Sequence, residues 1–189
     1  MNNLDKLIEA SHGSAEADAF RARVRSDADR DALVTAGKEV LQHLPVVAGG
    51  CMMMSAVMAC RLEKLTQTKP YVVAGSLHIG SVRIFGEDVD IDGVNRFSKS
   101  DASWDGHGWV VLGDYLVDVS LFRTSRSPKS SPILARHVLE EFGEKAGLFV
   151  CRLCDVEKSG LIYTPQYVLK QDQVDALARG AMAIWAGSR

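Results

Sequence analysis

Three residues have the types that thiol chemistry needs. Cys51 follows the glycine pair Gly49-Gly50 and opens the apolar run "CMMMSAVMAC", His107 starts the stretch "HGWVVLG", and Asp118 sits in "YLVDVS". A thiol attacks only as the thiolate, so a nucleophilic cysteine needs an adjacent base to take its proton. A buried carboxylate beyond an imidazole base selects the ring tautomer and offsets the imidazolium that forms. A helix start adds partial positive charge, which favours the thiolate, and the Cys51 amide there can donate to an oxyanion. The glycines ahead of it let a substrate backbone approach closely, making Gly50 a candidate binding residue. The competing reading is that Cys51 is a small core residue on a buried helix.

Strand parity ties the histidine to the aspartate. "HGWVVLGDYLVDVSLF" (107–122) is the strongest hairpin in the chain, two apolar β-rich runs around Gly113-Asp114. With a two-residue turn, Leu112 faces Tyr115, Trp109 faces Asp118 and His107 faces Ser120. His107 and Asp118 then share a face as diagonal neighbours, with Cβ atoms about 7 Å apart or less. An acid in so apolar a strand is costly unless it is paired. Trp104 and Trp109 flank His107 as candidate walls of an acyl-binding cleft, with aromatic core as the equal alternative. His12 and His43 lie in the polar N-terminal half, and His137 on an expected surface helix. His78 is the one substitute base, with no acid at a favourable spacing.

The elements that must position these residues follow from pattern. Residues 1–45 read as helical, and the strongest segment is "SDADRDALVTAGKEVLQHLP" with a Ser26/Asp29 capping box. Residues 51–65 form a second strong helix, with Met54, Val57, Met58, Arg61, Leu62 and Leu65 spaced by three and four. "YVVAGSLHIGSVRIFG" (71–86) is one long strand or two shorter ones. After the hairpin come a loop, a helix in "ILARHVLEEFGEKAG", two strands in "LFVCRLCDV" and "LIYTPQYVLK", and the amphipathic helix "QDQVDALARGAMAIWAG". Helices, then mostly consecutive strands, then a helix predict an α+β fold with an antiparallel sheet.

"GGCMMMSAVMACRLEKL", the strand "YVVAGSL" and "GHGWVVLGDYLVDVS" together resemble the core of transglutaminase-like cysteine proteins, within the papain-like group. "YLVDV" is similar also to arylamine N-acetyltransferases, which use the same triad but are usually longer than this chain. The resemblance covers roughly residues 48–122. It implies a nucleophile-bearing helix packed on an antiparallel sheet, with Cys51 as nucleophile, His107 as base and Asp118 as orienter. The expected reaction is thiol-dependent amide hydrolysis, as by a cysteine peptidase or glutamine deamidase acting on a peptide or protein amide. Acyl transfer to an amine, and a binding module on the same fold without turnover, are the alternatives.

The whole chain is consistent with that class. Its 189 residues suit a single domain, 1–189, divided into a helical segment (1–45), a core (46–122) and C-terminal strands and helix (123–189). A net charge of -2 points to no nucleic-acid partner. The longest apolar run falls short of the roughly 20 residues a membrane span needs. With no signal-peptide core the expected location is the cytoplasm, or export by a signal-independent route. Four cysteines make no disulfide framework, and no cofactor is implied; the oligomeric state is not legible. "CRLC" (151–154) has half-site spacing, but on a strand its two thiols would face opposite ways. "DVDIDG" (88–93) matches the first six positions of a calcium loop, yet the twelfth is Lys99, so a solvated acidic turn is expected and no metal site.

Overall fold

The computed structural model describes residues 3–24, 26–44, 50–98 and 104–187. The N-terminal segment forms three helices, α1 (Leu4–His12), α2 (Ser14–Arg21) and α3 (Asp27–His43). Ser26 caps α3 by accepting the Asp29 N–H at 3.4 Å. The Asp29 carboxylate does not reach back as a capping box would; it accepts the hydroxyls of Thr66 and Thr68 at 2.7 and 3.0 Å. α4 (Cys51–Leu62) buries Met52, Met54, Ser55, Ala56, Met58, Ala59 and Leu62. A helix apolar on nearly every side belongs in the interior, and α4 packs against α3, against α8 (Gln171–Gly187) and against the sheet.

The sheet is antiparallel throughout, consistent with an α+β class. Its pivot is β1 (Pro70–Ile79), which turns at Gly80 into β2 (Val82–Phe85). β3 (His107–Leu112) pairs with β1 residues 70–75, β2 with 77–79, and β6 (Leu161–Val168) with 73–79. Residues 73–75 therefore carry β3 on one edge and β6 on the other, while β2 extends the β3 side. β4 (Tyr115–Asp118) and β5 (Phe149–Arg152) continue beyond β3. The hairpin register is the expected one, with Leu112 opposite Tyr115 and Val110 opposite Val117. Gly113, at φ +55°, is the only residue of that turn in the left-handed region, as a II′-type hairpin requires.

Both faces of the sheet are covered. Val72, Ala74, Val110, Leu112 and Val117 pack under α3, α4 and α8. Val73, Leu77, Trp109, Val111 and Leu116 pack under α1, α2 and two further helices, α6 (Leu121–Ser125) and α7 (Pro132–Phe142). A short helix, α5 (Gly93–Arg96), follows the acidic loop. The second hairpin strand is shorter than the apolar pattern suggests, because the chain bends at Asp118 into α6. Among the described residues no helix is long and apolar enough to cross a membrane.

Candidate active site

Cys51 is the first residue of α4 and Gly50 its N-cap, whose carbonyl accepts the Met54 N–H at 2.9 Å. The positive end of the α4 dipole therefore lies at the thiol. The helix start is held against β3 by a close approach at Gly108. A Cβ there would lie 2.3 Å from the Met52 sulfur and 3.2 Å from the Met52 Cα. Only glycine lets the first turn of α4 rest on the β3 backbone, one residue from His107.

His107 opens β3 and is 1% exposed. Its ring stacks on Phe85 at 5.1 Å and 14°, and more loosely on Trp109 at 6.3 Å. Nε2 makes a short hydrogen bond to Asp118 Oδ2, which leaves Nδ1 as the ring nitrogen free to exchange a proton with Cys51. Cys51 and His107 line the same cleft, and the Cys51 side chain is near enough to favour the charged ring. The sulfur also lies 3.8 Å from the Gly106 carbonyl oxygen. Burial disfavours the charged ring, but the Asp118 carboxylate and Cys51 outweigh it and raise the His107 pKa above its ordinary value.

Asp118 is fully buried. Burial alone would push its carboxyl up; His107, the Tyr163 hydroxyl and the Ser120 amide hold it below the usual carboxylate value. Oδ1 accepts the Ser120 N–H and hydroxyl, both at 3.0 Å, and the Leu121 N–H at 2.9 Å. One oxygen thus turns the chain from β4 into α6 while the other serves the imidazole.

A cleft of about 480 Å³ opens over the pair, walled by Gly50, Cys51, His107, Trp104, Phe85 and Arg83 among others. Gly50 and Trp104 both line it. The Trp104 indole lies so close over Gly106 that a Cβ there would sit 2.0 Å from the ring. Trp109 is instead fully buried, its Nε1 has no partner among the described residues, and it packs with Tyr163 in the core rather than lining the cleft. Tyr163 is not legible in the sequence because it arrives through the long-range pairing of β6 with β1; Phe85 and Arg83 are not because 71–86 reads equally as one strand or two, and only the turn at Gly80 brings β2 back beside β1. The β-rich pattern signalled the strands but not their partners.

His78 does have an acid, contrary to its sequence spacing: Asp88 Oδ2 lies 3.1 Å from its Nε2, and Asp88 Oδ1 accepts the Ser76 hydroxyl at 2.7 Å. The loop after β2 folds back on β1 to make this pair, and neither residue lines the cleft. Asp92 of the same loop caps α5 through the Asn95 N–H at 3.2 Å, while Lys99 lies outside the described residues. Among the described residues no group of three or more His, Cys, Asp or Glu is placed to hold a metal ion. In "CRLC", β5 ends at Arg152 and Cys154 lies in the turn that follows, so strand parity does not separate the two thiols; all four cysteines are free. Within the described cleft, then, the chain assembles a thiol at a helix start, an imidazole and a buried carboxylate, a set able to generate and use a thiolate; no family model, curated protein or solved structure matches the chain.

Proposed function

We propose that this chain is a thiol-dependent amide hydrolase of the transglutaminase-like type, in the papain-like group, with Cys51 as nucleophile, His107 as base and Asp118 as its orienter. The observation that carries the reading is an imidazole hydrogen-bonded to a fully buried carboxylate and lining one open cleft with a cysteine at a helix start. Ordinary burial of a core cysteine gives no reason for a buried acid-imidazole pair beside it. The substrate is a peptide or protein amide, lying against Gly50 and Trp104.

The chemistry follows from these groups. Nδ1 of His107 takes the Cys51 proton, and the imidazolium is stabilised by Asp118. The thiolate attacks the amide carbon, and the Cys51 N–H at the helix start donates to the developing oxyanion. As the C–N bond breaks, the leaving amine takes the proton from Nδ1, leaving a thioester. Water gives its proton to the same nitrogen and attacks the thioester, the carboxylic acid departs, and the thiol is regenerated.

The test is release of ammonia or a new amine from glutamine-containing peptides by the wild-type chain and by Cys51→Ala, with and without an added primary amine. Turnover that Cys51→Ala abolishes and that ignores the amine supports hydrolysis. Incorporation of the amine into product would make the chain an acyltransferase. No turnover of any amide or thioester, with Cys51→Ala binding a cellular partner like wild type, would make it a binding module.

A further inference from the structure

Asp118 accepts more hydrogen bonds than orienting one histidine requires. Its Oδ1 bonds are local, to Ser120 and Leu121. Its Oδ2 takes two donors from distant parts of the chain, His107 Nε2 and, at 2.9 Å, the hydroxyl of Tyr163. Tyr163 belongs to β6, on the opposite edge of β1 from β3. Its side chain crosses the sheet face near Gly75, where even a Cβ would meet the Trp109 ring at 2.8 Å. The phenol ring is wedged edge-on to Trp109 at 5.0 Å and stacked on Phe149 at 6.2 Å, so its hydroxyl has one direction to point. A buried tyrosine needs a partner for its hydroxyl, but that partner here is the one oxygen already serving the imidazole.

We propose that Tyr163 is a positioning residue that acts through Asp118: by sharing Oδ2 with His107 it limits how much carboxylate charge falls on the imidazole, so that the ring can release its proton as well as accept it. The inference rests on the hydrolase reading, in which His107 must do both. Without the phenol, the undiluted carboxylate would hold the imidazolium too tightly to protonate the leaving amine. The titratable groups around this pair are Cys51 from α4, His107 from β3, Asp118 from β4 and Cys151 from β5. Burial first, and Asp118 next, push the Tyr163 phenol far above its ordinary value, so it remains a donor throughout the working range.

The experiment is an NMR titration of the His107 ring in the full chain, alongside kcat and KM on the glutamine peptide, for wild type and Tyr163→Phe. The expected result is a His107 titration raised by roughly one pH unit, the order of one charge-assisted hydrogen bond. With it comes a kcat lowered about tenfold at unchanged KM and an alkaline limb of activity moved up. Replacing Tyr163 by 3-fluorotyrosine, a stronger donor of nearly the same shape, should move the titration the other way, and it decides the matter if the phenylalanine variant does not fold. A folded Tyr163→Phe that loses stability but leaves the His107 titration and kcat where they were overturns the inference while the hydrolase reading stands. A wild-type His107 titrating at its ordinary value, with Cys51 no more reactive to iodoacetamide than the other thiols, overturns the hydrolase reading, and the inference falls with it.

Discussion

The molecule contains the same pair twice, in opposite settings. His107–Asp118 joins a ring 1% exposed to a carboxylate 0% exposed, whereas His78–Asp88 joins a ring 15% exposed to a carboxylate 58% exposed. Both acids also accept a serine hydroxyl, Ser120 in one case and Ser76 in the other. What separates them is burial and the group beyond the ring. His107 lines a cleft together with the Cys51 thiol; His78 ties a loop to a strand. An acid–imidazole contact is therefore no signature of a site by itself. It becomes one when desolvation makes it expensive and a nucleophile makes it useful.

The sharpest way to break this comparison is to neutralise each acid in turn. Asp118→Asn should lower turnover of the glutamine peptide by about three to four orders of magnitude, the scale for losing the orienting carboxylate of such a set. Asp88→Asn should leave it within about twofold, since exposed pairs contribute little. Similar losses from both variants would erase the distinction.

Stability comes next in size. Asp118→Ala leaves buried donors unpaired and should cost about 3–5 kcal/mol in denaturant unfolding. Asp88→Ala should cost about 0–1 kcal/mol, with what effect there is fading in high salt. The pH dependence carries the same contrast. Asp118 has a lowered folded pKa, so its stabilisation is full above about pH 3.9 and is lost as pH falls through the folded value. His107 has a raised folded pKa, so its share is full below about pH 6.5 and is lost as pH rises through the folded value. The stability gap between wild type and Asp118→Asn should therefore be widest between about pH 4 and 6.5 and narrow on both sides. A gap that grows steadily in one direction would show that the two groups are not coupled as described.

Labelling tests the thiol side. At mildly acidic pH iodoacetamide should modify Cys51 first, because the charged His107 ring and the α4 start favour its thiolate. Burial pushes the Cys60 and Cys151 thiols up, which slows them further. Labelling led by the exposed Cys154 would count against an activated Cys51. The smallest expected effect is none at all: a calorimetric calcium titration should show no tight one-to-one binding at 88–93, where Asp88 and Asp92 already serve Ser76, His78 and Asn95.

What could be read from the sequence was what local geometry determines. The period-two pattern around Gly113-Asp114 sets the register of β3 and β4, and with it the meeting of His107 and Asp118. The apolar run after Gly50 locates the helix that begins at Cys51. The pairing of β1 with both β3 and β6 was not legible, because parity says which face a side chain takes and nothing about which strand lies alongside. Hence the sequence does not reveal Tyr163 or the burial of Trp109 beneath it, and the acid of His78 is hidden for a different reason, the fold of the loop after β2 back onto β1. The end of β4 at Asp118 was also hidden, since the residues that continue the apolar pattern, Leu121 and Phe122, are buried from a helix rather than a strand.

The position of β6 has a consequence for how the chain is made. Cys51, His107 and Asp118 all leave the ribosome before residue 130, but the strand bearing Tyr163 and covering the second edge of β1 comes only at Leu161–Val168. Such late, long-range pairing closes slowly, and the nascent chain emerges at about 5–20 residues per second. For seconds, then, a growing polypeptide carries Cys51, His107 and Asp118 without the strand that supplies the second donor to Asp118 Oδ2. Synthesis order thereby leaves one edge of β1 open until the molecule around it is nearly whole.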